Sequence, residues 1–194
     1  MDSLKQSLNE CIFMNKSQNA ENSGDTNQTE EMDQSLHELF LDQLADLQNA
    51  EKQLTRALPK MIEAANSEEL RDAIKSHLKE TEGHVSRLEE VAKVLDENLR
   101  QKTCPAMEGL IEEAGDLMQE QKGKPSLDAA IIAAAQKVEH YEIASYGTVR
   151  AWAEQMGHQE AVDLLQQTLD EESAADEKLA QIAETLADQE GSRE

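Results

Sequence analysis

Residues 126–157 read SLDAAIIAAAQKVEHYEIASYGTVRAWAEQMG. Apolar side chains recur every three or four positions, at Ile131, Ala135, Val138, Val149, Trp152 and Met156. That spacing is the mark of one buried face of an α-helix. Ser126 stands at the expected N-cap and Gly157 just past the expected end. In the middle of the stripe, where a helical core should be driest, stands Glu142. A carboxylate buried alone is very costly. Its placement therefore demands a proton or a cation, unless the side chain turns out to the surface as glutamates usually do.

Three other segments carry the same arrangement. Before residue 66, Leu36, Phe40, Leu44, Leu47, Leu54, Leu58 and Met61 form a stripe with Glu51 in register. Pro59 is expected to kink this helix. Asn66 and Ser67 read as a turn and an N-cap. A second helix spans about 68–97, with Leu70, Ile74, His77, Thr81, His84, Leu88, Val91 and Leu95 on one face and Glu80 at its border. A further helix spans about 159–186, with Val162, Leu165, Leu169, Glu172, Asp176, Leu179, Ala183 and Leu186 in line. Between the two halves, residues 98–126 hold a shorter amphipathic helix from Pro105 to about residue 121. Two hairpins and a long crossover are the plan of an all-α, ferritin-like antiparallel four-helix bundle with a short crossover helix. Separate coiled coils are the rival, and the crossover helix argues against them.

Composition sets the surroundings. The 194 residues suffice for one domain with a sizeable core plus a tail. Aromatics make up only 3%, so Leu, Ala, Ile, Val and Met must fill the interior. Residues 1–31 are rich in Asn, Ser, Gln, Glu and Thr and are expected to form a disordered polar tail. The bundle is expected over 32–187 and a flexible end over 188–194. A net charge of −23 argues against nucleic acid and anionic membrane surfaces as partners, but suits metal ions. Cys11 and Cys104 lie far apart and suggest no disulfide, in keeping with reduced thiols in a cytoplasmic protein. No apolar run approaches the ~20 residues of a membrane span.

The four acids fall at similar heights. Glu51 and Glu80 are 29 residues apart across one turn, and Glu142 and Glu172 are 30 apart across the other. At about 1.5 Å per residue, the members of each pair differ in height by a few Å. Ligand-type neighbours lie one turn away: His84 beside Glu80, Glu139 beside Glu142 and Asp176 beside Glu172. Carboxylates with an imidazole suit iron or manganese, and zinc also accepts such donors. His77 reads as a core histidine supporting the ligands. Tyr146, one turn past Glu142, is placed to hydrogen-bond a ligand carboxylate. The alternative is a bundle whose acids are protonated or water-linked and hold no functional metal.

The segments Ala50-Glu51-Lys52-Gln53-Leu54, His77-Leu78-Lys79-Glu80-Thr81-Glu82-Gly83-His84-Val85 and Val138-Glu139-His140-Tyr141-Glu142-Ile143-Ala144-Ser145-Tyr146-Gly147 resemble the YciE/YciF-type ferritin-like family. That family is largely a domain of unknown function, and the resemblance covers about residues 33–187. It implies a homodimeric bundle in bacteria, linked to stress responses. More distantly the chain is similar to the rubrerythrin group of di-iron proteins. By that likeness Glu51 is the first-helix ligand, Glu80 and His84 the second-helix pair, Glu139 and Glu142 the third-helix ligands and Glu172 the fourth-helix acid. Two departures stand out. The di-iron pattern places His three residues after Glu, whereas Glu80 and His84 are four apart, a spacing a π-bulge would correct. The last helix offers Asp176 where a histidine is expected. The resemblance implies a dinuclear iron or manganese centre that reacts with peroxide or oxygen.

Overall fold

The computed structural model describes the backbone of residues 2–191 and the side chains of residues 31–188. The polar tail expected over 1–31, Cys11 and the flexible end over 188–194 lie almost wholly outside the described side chains. The chain divides into two units, residues 1–39 and 40–194. All site residues belong to the second.

The protein is all-helical, and among the described residues there is no strand. Five helices follow in order: α1 Asp2–Ala64, α2 Glu68–Val94, α3 Pro105–Gln121, α4 Leu127–Gln155 and α5 Gln159–Gly191. None of them, among the described residues, is long and apolar enough to cross a membrane. Helix α1 runs through Pro59 without a break. The Ser67 side chain caps α2 by accepting from the Leu70 N–H at 3.3 Å.

The second helix stops three residues earlier than its apolar pattern suggests. Asp96 adopts a left-handed φ of 55° and the chain turns away. Gly157 does the same after α4, at φ 77°, where a residue without Cβ meets no steric penalty. Ser126 precedes α4 without capping it and binds Gln121 instead. The cap of α3 is Cys104, whose Sγ lies 3.5 Å from the Met107 N–H.

Two apolar clusters order the helices. One joins Leu58 and Met61 of α1 with Leu70 and Ile74 of α2, and Ile131 and Ala135 of α4 with Leu179 and Ile182 of α5. The other joins Phe40, Leu44 and Leu47 with Leu88 and Val91, and Val149 and Ala153 with Ala161, Val162 and Leu165. Residues near each turn meet one another, and so do residues far from each turn. That is the pattern of helices folded back antiparallel. Helix α3 packs on α4. Its Met107 is fully buried, and Leu110, Ile111 and Met118 rest against the first cluster.

One polar contact ties the halves together. Asp128, in the first turn of α4, accepts from the Asn66 N–H and the Ser67 N–H, both at 2.8 Å. Its two oxygens satisfy the amides of the α1–α2 turn with charge-assisted bonds.

Candidate metal centre

Between the two clusters lies a belt of ionisable side chains. Glu51, His84, Glu142 and Glu172 are 0% exposed, Glu139 2% and His77 7%. Two groups of donors form there. His77, Glu139, Glu142 and Glu172 make one, and Glu51, His84 and Glu172 the other, with the donor atoms of each within 4.8 Å of one another. Glu172 belongs to both.

Helical phase explains which residues of α2 enter. His77 and His84 are seven apart, two turns on one face, in line with the buried Leu70, Ile74, Thr81 and Leu88. Glu80 sits about 80° around the helix from the centre of that face, where Thr81 takes the inward place. Glu80 is part-exposed, with Oε2 3.8 Å from His77 Nδ1. Asp176 also lies outside both groups. It accepts from Gln136 Nε2 at 3.1 Å and approaches His140 Nε2 at 3.2 Å. His77, read from sequence as a supporting histidine, instead brings its own ring into the larger group.

The contacts inside the belt are close but poorly aligned. His84 Nδ1 is 2.9 Å from Glu172 Oε1 and 3.5 Å from Glu51 Oε1. His77 Nε2 is 3.3 Å from Glu139 Oε1 and Nδ1 is 3.9 Å from Glu172 Oε2. Even so, His84 Nδ1, both His77 nitrogens, both oxygens of Glu142 and Glu172, Glu51 Oε2 and Glu139 Oε2 have no hydrogen-bond partner. Leaving one such buried atom unsatisfied costs about 1–3 kcal/mol, and more when it is charged. A cation between misaligned donors removes that cost. The carboxylates and imidazoles together could hold a metal ion.

Other side chains hold the donors in place. The Tyr146 hydroxyl donates to Glu51 Oε1 at 2.5 Å. Glu171, next to Glu172 but facing out, reaches His84 Nε2 at 2.8 Å. Arg87 grips the same carboxylate with two N–H donors, at 2.8 and 3.1 Å, and donates to Thr168 Oγ1 at 2.6 Å. An acid on the second ring nitrogen leaves Nδ1 of His84 free to act as a donor atom toward the belt. A second chain of polar contacts lies beside the belt: Tyr141 donates to Asp46 at 2.9 Å, and its hydroxyl meets Cys104 Sγ at 3.0 Å.

Electrostatics makes the metal-free belt proton-rich. Burial first, and then the neighbouring carboxylates, push Glu139 and Glu142 well above the usual carboxylate range. Burial also raises Glu51, against the pull of His84. Glu172 is held low because His84 and His77 together outweigh its burial. Burial opposes the charge on His84, yet Glu172 and Glu51 push it up to about 10.

The pH dependence follows from these directions. Above about pH 4.5 the unfolded carboxyls ionise while buried Glu51, Glu139 and Glu142 keep their protons, so stability falls as pH rises. The contribution of His84 is complete below 6.5 and is lost as pH climbs through about 10. Both act in one direction. Metal-stripped protein is expected to melt at a higher temperature near pH 5 than near pH 8. Metal affinity runs the other way, because ligands must shed protons. Melting curves that rise with pH in the metal-free protein contradict this reading of the belt.

This buried belt within an all-helical chain defines the class, and the chain belongs to DUF892, a domain of unknown function, over residues 35–191. It is 49% identical to Protein YciF of Escherichia coli K12 over 150 residues, which cover 76% of this chain and 90% of that protein. The crystal structure of the E. coli stress protein YciF matches with a TM-score of 0.77 and 45% identity, covering 79% of this chain and 97% of that one. YcfI from Rhodopseudomonas palustris, described as a candidate structural protein, matches at 0.73 and 48%, covering 75% and 92%. A protein from Xanthomonas campestris pv. campestris, 20% identical, shares the fold at a TM-score of 0.63, covering 82% and 97%.

Proposed function

We propose that the chain forms a ferritin-like antiparallel four-helix bundle that holds a dinuclear iron or manganese centre and reacts with peroxide or oxygen during stress. One observation carries this reading: two groups of buried, partnerless donors share a single carboxylate, Glu172. Glu51 and His84 would hold one ion, and His77, Glu139 and Glu142 the other, with Glu172 common to both. Glu80 and Asp176, expected ligands by sequence, take no place in the two groups. Such ions supply Lewis acidity and electrons to a bound oxidant. The chain's own residues do the rest. Tyr146 fixes Glu51, Glu171 and Arg87 orient His84, and an apolar cluster packs on either side of the belt.

The relative named as a stress protein supports the stress setting, and a cytoplasmic location is part of the same proposal. Protein purified without chelator and then offered iron or manganese is expected to hold about two ions per chain, one for each donor group. Elemental analysis reading less than about 0.3 ion per chain after loading ends the proposal.

A second reading is a non-catalytic structural protein, favoured by the description of the R. palustris relative. It predicts that the protein resists loading and that its acids stay protonated. A homodimer belongs to both readings. Helix α3 spends much of its apolar face on its own chain, so the interface must draw on other surface too. Sedimentation showing only monomer at micromolar concentration removes the dimer.

A further inference from the structure

A cavity of about 540 Å³ opens between α2 and α5, on the side of the belt that holds His77. Its walls are apolar: Leu58, Ala73, Ile74, Ala135, Ala175 and Leu179. Four alanines, Ala73, Ala135, Ala174 and Ala175, line it where larger side chains would fill the space. Its inner end is polar. His77 and Glu139 line it, both more than nine-tenths buried, and both ring nitrogens of His77 and Oε2 of Glu139 lack partners. A largely apolar cleft with a few convergent polar groups is the usual form of a small-molecule site.

The rim decides the charge of the occupant. Glu69, Asp72, Glu80 and Glu171 surround the opening, so an anion is repelled. Most of these acids are already engaged: Glu69 by Lys178 at 2.6 Å, Asp72 by Lys75 at 2.8 Å and Glu171 by Arg87 at 2.8 Å. This pairing weakens the rim's pull on a cation as much as its push on an anion, and the apolar walls penalise burying either charge unpaired. We propose that this cavity binds an uncharged small molecule with an apolar body and one hydrogen-bonding head, a hydroxyl or hydroperoxide. The body lies along the alanine-lined seam and the head meets His77 and Glu139. The site does not require an ion in the belt.

The test is a titration of full-length protein with 1-hexanol, hexylamine and hexanoate, followed by calorimetry, on metal-stripped and manganese-loaded samples. Hexanol is expected to saturate one site per chain, with hexanoate and hexylamine at least about tenfold weaker. Each methylene added from butanol to hexanol is expected to tighten binding about fourfold. Ala73→Phe and Ala175→Phe fill the cavity and are each expected to weaken hexanol at least about tenfold, with helicity and metal content unchanged. The proposal is overturned if hexanol shows no saturable site, if hexanoate or hexylamine binds as tightly as hexanol, or if a filled variant binds hexanol like the parent. Should a filled variant fail to fold, the charge series on the parent chain decides alone. Metal content is read on the same samples, so the failure of this site and the failure of the metal centre are separately visible.

Discussion

A Glu142→Leu chain is expected to be more stable than the parent when both are metal-free, and to lose its metal. Glu142 is fully buried and neither of its oxygens has a partner. Replacing it with leucine of similar bulk breaks no hydrogen bond and removes a group that must stay protonated against its own preference. The gain expected is about 1–3 kcal/mol. For a domain of this size each kcal/mol moves the melting temperature by about 2–4 °C. The same change takes a carboxylate from the larger donor group, so added manganese is expected to raise the melting temperature of the parent but much less that of the variant. Thermal denaturation with and without chelator reads both effects. A metal-free variant that melts several degrees below the parent means that Glu142 makes a contact worth keeping without any ion.

Glu172→Ala is expected to abolish loading altogether, whereas Glu171→Gln only weakens it. The two residues are adjacent, about 100° apart around α5, and meet opposite nitrogens of the His84 ring. Glu172 is 0% exposed and shared by both donor groups. Its loss strips a ligand from each ion and should lower metal content to background in elemental analysis. Glu171 belongs to neither donor group and acts through the second nitrogen of His84. Loss of an outer partner of this kind costs about 10–100-fold in metal affinity. Competition against a chelator of known affinity measures that difference. Equal metal content in Glu172→Ala and the parent rules out the shared carboxylate.

The sequence revealed the buried acids more readily than their supports. Glu51, Glu142 and Glu172 each interrupt an apolar stripe, and a period of 3.6 residues is enough to put them inside. Glu80 matches Glu51 in height but only borders the apolar stripe, and with about 100° of helical turn between neighbours Thr81 holds the inward place. The seven-residue spacing of His77 and His84 already signals a shared face, and it was the available clue to His77. Glu171 and Arg87 carry no such mark. Both read as ordinary surface charges, and only the packing of α2 against α5 brings them to His84. The early end of α2 was equally hidden, since Leu95 continues the apolar period while Asp96 turns the chain.

Asp128 acts as an index pin for the whole molecule. It fixes the start of α4 to the turn that ends α1, so the two helices are measured from one origin. From that origin Glu51 lies 15 residues back along α1 and Glu142 lies 14 residues on along α4. At 1.5 Å per residue these are paths of about 22 and about 21 Å. Donors on strangers in sequence thus arrive side by side by dead reckoning. A slip of one residue at the pin would carry one oxygen most of a bond length past the other.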